Sequence, residues 1–347
     1  MKISSFDYDL PDSLVAQVPA AIRDEARLLV LYRRQECLQH ALFRDLPDFL
    51  HPGDVLVLND TRVFPARLLG KKTSGGGRVE VLFVREIEPG LWEALARSPG
   101  RPGTEFEFPG GFRGIWLGGG PEGKGRIQFH SSQDLNERIE EVGCMPLPPY
   151  IARNCEKDLV LDKMDRDRYQ TVYARHRGSV AAPTAGLHFT NSLLERLRSH
   201  GIDIVFITLH VGIGTFLPVR SEEVGDHCME PERYLISSEA AEKINAVKAS
   251  GKHLVTVGTT TTRLLESQAK THRGKCVAGC GETDLFITPG YRFEMVEALI
   301  TNFHLPRSTP LLLASAFAGW ERIREAYEEA MQLQYRFYSY GDSMLIL

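Results

Sequence analysis

The chain has 347 residues, of which 43% are hydrophobic and 25% are charged, a composition typical of globular proteins with a sizeable core. Because a domain averages about 150 residues, this length favours two domains. Lysine and arginine total 41 against 45 aspartates and glutamates, so the formal net charge is −4. This balance excludes a uniformly basic coat, but it is compatible with a local basic patch that binds nucleic acid.

The apolar runs and the cysteines favour a cytoplasmic protein with reduced thiols. Residues 1–6 contain no apolar signal core, and the longest apolar run, residues 310–317, is far shorter than the ~20 residues that span a bilayer. Six cysteines are few for this length, and they form no Cys-x-x-Cys pair. Cys276 and Cys280 have no second pair nearby, which argues against a zinc site. We therefore expect a cytoplasmic location and no metal.

Three short apolar runs lie at residues 54–58, 202–209 and 253–257. They are nearly continuous rather than alternating, which is typical of strands that are covered on both faces of a sheet. Helical segments are expected between these runs and after the last one, so these parts of the chain indicate an α/β domain.

Between residues 67 and 144 the pattern changes to short alternating runs separated by glycine and proline. One run places Val79, Val81 and Phe83 on a single face, and further runs follow at 104–108 and 126–129. Period-two strands at such spacing predict an antiparallel barrel or sandwich, and the small size favours a barrel, because closure removes exposed strand edges.

Apolar residues at helical spacing predict helices at 191–200, at Ser238–Ser250 with a serine cap at its start, and at Trp320–Gln332. A further helix is expected around 263–268. The fold class that follows is a discontinuous, three-layer α/β domain with an inserted small antiparallel β-barrel. The expected boundaries are 1–66 for the first part of the α/β domain, 67–148 for the barrel, and 149–347 for the second part, which carries most of the active site.

Standard cofactor motifs are incomplete. The segment that starts at Gly118 and ends in Gly123-Lys124 resembles a phosphate-binding loop, but Gly125 stands where Ser or Thr is required, so a glycine hairpin is favoured. After the strand at 202–209, Leu217 occupies the position of the third glycine of a dinucleotide-binding loop. The chain also lacks Gly-x-Ser-x-Gly and His-Glu-x-x-His. These gaps weigh against ordinary hydrolases, kinases and dehydrogenases.

Unusual polar segments are concentrated in the second half of the chain. Several of them follow predicted strands, and ligands of open α/β sheets bind beyond the carboxyl ends of strands. Any single loop of this kind is compatible with a tight turn, but the repeated combination of His, Thr and Gly favours a site. The segments are 182–190, 208–216, 227–232, 258–263, 283–291 and 301–306.

With the segments at 58–67 and 167–174, these loops closely resemble the S-adenosylmethionine:tRNA ribosyltransferase-isomerase family of the queuosine pathway. The resemblance spans nearly the whole chain, with the motifs in the family's order. It implies a tRNA substrate that carries 7-aminomethyl-7-deazaguanine at the wobble position and S-adenosylmethionine as co-substrate. The implied reaction transfers and isomerises the ribosyl moiety, releases adenine and methionine, and leaves epoxyqueuosine. The family's α/β domain interrupted by a small barrel agrees with the composition shift.

The implied reaction needs a base for a proton on the 5′ carbon and an acid that assists the departure of adenine. Histidines and carboxylates with tuned pKa values suit these roles. The sequence leaves open which residue is the base and which is the acid. The candidate catalytic residues are His188, His210, His227, Glu230 and Glu232.

Small, hydroxyl-bearing, aromatic and charged residues of the same loops are the candidates for binding S-adenosylmethionine. Aromatic faces favour the sulfonium cation, whereas a helix start or an arginine favours the methionine carboxylate. The candidates are Thr184, Gly186, Phe189, Gly212, Gly214, Thr215, Phe216, Thr259, Thr260, Arg263, Asp284 and Tyr291.

Two clusters of basic residues are expected to contact tRNA phosphates, one at the entry to the barrel and one before residue 178. Two polar residues of the 301–306 loop complete the set. The candidates are Arg62, Arg67, Lys71, Lys72, Arg168, Arg175, Arg177, Asn302 and His304. The expected partner is an anticodon stem-loop, with the protein a monomer and no membrane involved.

Two other functions compete with this interpretation. An S-adenosylmethionine methyltransferase would release S-adenosylhomocysteine, and its usual acidic-glycine loop after the first strand is missing. A non-catalytic RNA-binding module would explain the barrel and the arginines but not the His-Thr-Gly loops.

Overall fold

The computed structural model describes residues 1–120, 123–130, 135–153, 158–212, 214 and 219–347. The strands in this part of the chain, in chain order, are β1 (Arg27–Leu31), β2 (Leu38–Leu42), β3 (Val55–Asn59), β4 (Thr61–Val63), β5 (Arg67–Lys72), β6 (Arg78–Glu88), β7 (Leu91–Arg97), β8 (Glu105–Glu107), β9 (Arg113–Gly119), β10 (Lys124–Phe129), β11 (His176–Ser179), β12 (Asp203–Leu209), β13 (Glu232–Ile236), β14 (Leu254–Val257), β15 (Gly279–Thr283), β16 (Ala298–Asn302) and β17 (Ser343–Ile346). The α-helices are α1 (Leu135–Val142), α2 (Leu159–Arg168), α3 (Asn191–Ser199), α4 (Ser238–Ser250), α5 (Thr259–Thr271), α6 (Thr309–Ala318) and α7 (Trp320–Gln332).

Nine of these strands form one mixed sheet in the order β15-β13-β12-β3-β14-β16-β17-β1-β2. Its centre, β12-β3-β14-β16, is parallel, and the outer pairs are antiparallel except for β1 with β17. The three apolar runs of the sequence are the neighbouring strands β12, β3 and β14. Their continuous apolar character follows from this position, because both faces of a central strand are covered.

The sheet lies between two apolar layers, and alternate residues of β3 contribute to each. Val55 and Val57 pack with residues of α4 to α7, whereas Leu56 and Leu58 pack on the other side with α3 and the short 3-10 helix Phe43–Phe49. This alternation is the period-two geometry of a strand. The three-layer α/β arrangement predicted from the sequence is therefore confirmed.

The inserted barrel is also confirmed. Strands β5 to β10 close into an antiparallel barrel in the order β10-β7-β6-β5-β8-β9. The alternating run places Val79, Val81 and Phe83 inside, where they pack with Trp92 and Trp116 among other residues. The glycine-rich segment after Gly118 is the connection from β9 to β10, as the hairpin interpretation expects, although residues 121–122 lie outside the described part of the chain.

The barrel and the large sheet are joined through a two-stranded parallel sheet, β4 with β11. Its register places Arg62 opposite Arg177 and Thr61 opposite His176. The two basic clusters of the sequence, more than a hundred positions apart, therefore meet at this junction. An antiparallel bridge between Arg67 and Cys144 closes the base of the barrel.

The predicted helices agree with α3, α4 and α7, but two details differ. The cap of α4 is Ser237, whose hydroxyl accepts the Ala240 N–H, rather than a serine inside the helix. The helix expected near 263 begins earlier, at Thr259, so the threonines belong to the first turn of α5 and not to a loop. Among the described residues, no helix is both long and apolar enough to cross a membrane.

Ser237 and Ser238 give a matched pair of cap variants, because both are exposed. We expect Ser237→Ala to lower the free energy of unfolding by about 1 kcal/mol, since the Ala240 N–H loses its acceptor. Ser238→Ala is expected to change it by less than about 0.5 kcal/mol. Urea denaturation of both variants measures the difference, and equal effects would contradict the assignment of the cap.

Candidate active site

A cavity of about 640 Å³ lies between the barrel and the carboxyl edge of the central strands. One wall comes from the barrel, with Arg85, Trp92 and Lys124. The opposite wall contains the end of β12 at His210 and the segment 226–233 before and within β13. This position is where ligands of open α/β sheets bind.

His210 follows β12 directly and lines this cavity. Its backbone N–H is bonded to the Arg233 carbonyl at 2.9 Å, and its Nδ1 lies 2.9 Å from the hydroxyl of Thr61. Burial lowers the pKa of His210, and the charges of His176 and Arg233 lower it further. The imidazole is therefore neutral near pH 7.

Gly178 makes room for this ring. A Cβ atom at position 178 would lie 2.6 Å from His210 Cε1 and Nδ1. That separation is shorter than any tolerable contact, so a larger residue would displace the imidazole.

His227 and Glu230 line the same cavity. The ring of His227 packs edge-on against Phe286 at 5.1 Å, and burial lowers the pKa of His227. Glu230 is exposed and forms an ion pair of 2.7 Å with Lys124 of β10. This hydrogen bond raises the pKa of Lys124, so the carboxylate is tied to the opposite, barrel wall of the cavity.

Glu232 is buried at the start of β13 and joins three segments. Its Oε1 accepts the Gly212 N–H at 2.9 Å, and its Oε2 is in direct contact with the guanidinium of Arg263 on α5. Burial lowers the pKa of Arg263 to about 10, an effect that Asp284 partly opposes. Arg263 remains charged at neutral pH, so Glu232 is paired with a cation, holds the loop at Gly212 and is poorly placed to accept a proton.

The start of α5 separates two smaller clefts near the same sheet edge. Thr259 and Thr260 line both of them. The first cleft also contains Arg263 and Met229, and the second contains Thr184. Amides in the first turn of a helix face outward without helical partners and favour an anionic group.

Several candidate residues lie away from the cavity. His188 and Phe189 are buried against Phe43, at ring distances of 5.0 and 4.9 Å. Gly186 is buried, and a Cβ there would meet the Tyr173 hydroxyl at 2.2 Å. The Tyr291 hydroxyl donates to Glu266 at 3.2 Å. These four residues therefore pack or form hydrogen bonds outside this cavity, and their roles as candidates stay predictions.

The remaining candidates for S-adenosylmethionine differ in position. Gly212 and Gly214 line the cavity, and Asp284 is exposed beyond β15. Thr215 and Phe216 lie outside the described residues.

The candidate tRNA contacts separate into three groups. Arg62, Lys71 and Arg175 are exposed, and Lys72 is half-buried. Others are engaged within the protein: Arg67 with Glu80 at 2.7 Å, Arg168 with the carbonyls of Ala20 and Ala21, and Arg177 with Glu140 at 3.0 Å and over the Phe64 ring at 4.2 Å. Asn302 and His304 line the second cleft rather than the outer surface.

His304 is held there by its own contacts. Its Nε2 lies 2.6 Å from the Thr301 hydroxyl, and burial lowers its pKa to about 3. A neutral, internally bonded imidazole is a weak partner for a phosphate.

Sequence reasoning missed Thr61, which contacts His210, Ser179, which lies 2.7 Å from the Thr61 hydroxyl, and the cavity-lining residues Trp92 and Lys124. Thr61 stood inside the family-like segment 58–67 but carried no assigned role. Trp92 belongs to an alternating strand with no functional signal, and Lys124 follows a glycine hairpin. Their roles depend on contacts between distant segments.

One group of possible metal ligands exists in the described part of the chain: His51, Asp54 and His253. It lies before β3 and β14, at the opposite edge of the sheet from the cavity. The Nδ1 atoms of the two histidines lie 3.7 and 3.4 Å from oxygens of Asp54. This group is separate from the candidate active site.

The chain is similar to a known family over its whole length. Residues 3–346 match the sequence model of the family described as queuosine biosynthesis protein. Proteins named S-adenosylmethionine:tRNA ribosyltransferase-isomerase from Halothermothrix orenii and Moorella thermoacetica are 50% and 51% identical to it, with 100% of both chains covered in each case. A crystal structure of an S-adenosylmethionine tRNA ribosyltransferase from Thermotoga maritima is 36% identical, covers 99% of this chain and 100% of its own, and has a TM-score of 0.56.

The buried His188 predicts a pH dependence of stability. Burial lowers its pKa to about 4, below the ~6.5 of a free histidine. As pH falls, the unfolded chain binds the proton first, so this stability is complete above about pH 6.5 and is lost toward pH 4. We expect about 2 kcal/mol to be lost through His188 between pH 7 and pH 5.

Urea denaturation across this range compares the wild type with His188→Gln, which is expected to lack this component. The exposed His200→Gln is the control for losing a surface imidazole. Parallel pH dependences of wild type and His188→Gln would contradict a buried, neutral His188.

Proposed function

The chain belongs to the queuosine biosynthesis protein family, and we propose that it is an S-adenosylmethionine:tRNA ribosyltransferase-isomerase. It transfers and isomerises the ribosyl moiety of S-adenosylmethionine onto 7-aminomethyl-7-deazaguanine at the wobble position of tRNA, and releases adenine and methionine. The observation that carries this proposal is the cavity whose walls combine a small barrel with a sheet edge bearing His210 and His227. Its volume of about 640 Å³ is in the range of sites for nucleoside-sized ligands.

We assign proton acceptance from the 5′ carbon to His227. The reaction needs a base that is uncharged near neutral pH, and burial lowers the pKa of His227. The two carboxylates are less suitable, because Glu230 is paired with Lys124 and Glu232 with Arg263. A carboxylate that is held by a cation is a weaker base.

The start of α5 is the proposed site for the methionine carboxylate of S-adenosylmethionine. Thr259 and Thr260 offer backbone amides there, and the positive end of the helix dipole favours an anion. Arg263 contributes its positive charge one turn later, although its guanidinium already contacts Glu232. No metal is invoked, because the sulfonium makes methionine a good leaving group without a Lewis acid.

The anticodon stem-loop is proposed to bind across the junction between the two domains. These are the barrel, residues 67–148, and the α/β domain, residues 1–66 and 149–347. Exposed Arg62, Lys71 and Arg175 near this junction provide positive charge for phosphates. We further propose a monomer that acts in the cytoplasm.

The test of the function uses purified protein, S-adenosylmethionine and an anticodon stem-loop that carries 7-aminomethyl-7-deazaguanine. We expect free adenine and methionine to be released only when this RNA is present. Release of S-adenosylhomocysteine would indicate a methyltransferase instead, and RNA binding with no turnover would indicate a binding module.

His227→Asn tests the assigned base. Removing a general base typically lowers the rate about 10²- to 10⁴-fold, so we expect kcat for adenine release to fall by at least about 100-fold. The exposed His200→Asn is the matched control and is expected to retain wild-type kcat. Unchanged kcat in His227→Asn would remove His227 from the mechanism.

The double variant Arg62→Gln/Arg175→Gln tests the tRNA surface. Each lost phosphate contact lowers the slope of log K against log salt by roughly 0.7–0.9. We therefore expect weaker binding of the stem-loop at low salt and a slope smaller by about 1–2. Lys270→Gln, at an exposed position near the end of α5, is the control. An unchanged slope would place the RNA elsewhere.

A further inference from the structure

Three consecutive hydrogen bonds connect the backbone N–H of Val211, just after β12, to the ring of His210. The Val211 N–H donates to Ser179 Oγ at 2.8 Å. Ser179 Oγ lies 2.7 Å from Thr61 Oγ1, and Thr61 Oγ1 lies 2.9 Å from His210 Nδ1. Thr61 and Ser179 are completely buried, so water does not substitute for any of these partners.

Two arrangements of the hydroxyl protons satisfy the buried groups, and they differ in whether Thr61 donates to His210 Nδ1 or to the His176 carbonyl. Ser179 Oγ already accepts from Val211, and the other partner it has among the described residues is Thr61, so Ser179 donates to Thr61. Thr61 then has one proton to donate. His210 Nδ1 lies at 2.9 Å, whereas the His176 carbonyl lies at 3.4 Å. The 3.4 Å contact is near the limit for a hydrogen bond, so the geometry favours Nδ1 as the acceptor over the alternative in which Nδ1–H donates to Thr61.

A neutral imidazole whose Nδ1 accepts a hydrogen bond carries its proton on Nε2. Because Nδ1 faces Thr61 and the same side of the ring is covered by Gly178, Nε2 is on the opposite side, and His210 lines the cavity. In the described part of the chain, no protein group is hydrogen bonded to Nε2.

We propose that Thr61 and Ser179 are positioning residues that hold His210 as its Nε2–H tautomer, and that His210 acts as a hydrogen-bond donor in the cavity rather than as a base. The acceptor is an oxygen or nitrogen of the substrate that gains electron density as a bond breaks. A neutral imidazole suits this role, since its Nε2–H donates to the developing charge while the ring stays uncharged in the buried site. The choice of acceptor rests on the proposed ribosyl transfer, whereas the tautomer does not.

The positive groups near the ring support this assignment. Arg177 and Arg233 line the same cavity, and His176 and Arg233 disfavour the charged form of His210. A doubly protonated ring would donate from Nδ1 to Thr61, which would leave the Thr61 proton only the longer contact with the His176 carbonyl at 3.4 Å.

The direct test is the ¹⁵N spectrum of ring-labelled histidine in the full-length protein near pH 7.5, with the His210 signals assigned by their loss in His210→Gln. We expect Nδ1 at the shift of an unprotonated nitrogen and Nε2 at that of a protonated one. The reverse pattern in the wild type would overturn the proposal, whatever the activity.

Variants then connect the tautomer to turnover. Thr61→Val removes the donor, so we expect mixed tautomers of His210 and a kcat for adenine release about 10- to 100-fold lower, with KM little changed. Thr61→Ser keeps the hydroxyl and is expected to restore both the spectrum and kcat. Ser179→Ala is expected to give an intermediate result.

Thr256→Val is the matched control. Thr256 is another fully buried threonine, with its hydroxyl bonded to Thr262 at 2.7 Å away from His210, and its variant is expected to leave the His210 spectrum and kcat unchanged. Wild-type kcat in Thr61→Val would overturn the positioning role. Absence of adenine release by the wild type would instead contradict the proposed function and leave the tautomer test intact.

Discussion

Where β3 and β12 end, the side chain of Asn59 takes over the hydrogen bonds that the β3 backbone would otherwise make with β12. The junction between the large sheet and the barrel depends on these hydrogen bonds. Its amide oxygen accepts the N–H groups of Thr61 and Leu209, at 3.1 and 3.0 Å, and its amide nitrogen donates to the Leu209 carbonyl at 2.9 Å. An asparagine side chain presents the same groups as a peptide bond. The backbone of β3 is therefore free to turn away into β4 and the barrel, while β12 keeps its partner.

The next two residues extend this junction. Asp60 accepts the Thr208 hydroxyl at 2.7 Å, and its carbonyl accepts the Arg175 N–H at 2.8 Å. Thr61 contacts Ser179 and His210. Three consecutive polar residues thus fix the end of β12, the start of β11 and the ring that faces the cavity. Because all three are buried, each of their polar groups needs a partner, and the partners fix the geometry.

The sequence predicts the parts of this molecule that depend on local pattern. Continuous apolar runs identify the central strands, alternation identifies the barrel, and Leu193, Leu194 and Leu197 identify α3. The functions of individual histidines are beyond this reasoning. His188 and His210 stand in similar polar loops, yet one ring is packed against Phe43 and the other lines the cavity. Burial of a side chain depends on segments that are distant in sequence, such as the 3-10 helix Phe43–Phe49, and no single-sequence pattern reports it.

The order of strands in the large sheet has a consequence for how the chain folds. The central strand β3 pairs with β12 and β14, which are made about 150 and 200 residues later, and β1 pairs with β17 at the far end of the chain. The barrel, by contrast, closes between residues 67 and 129 with pairings that are mostly local. Local contacts form faster than distant ones. During synthesis the barrel is therefore expected to fold first. The apolar residues of β1 and β3 are expected to stay exposed until their partner strands have been synthesised.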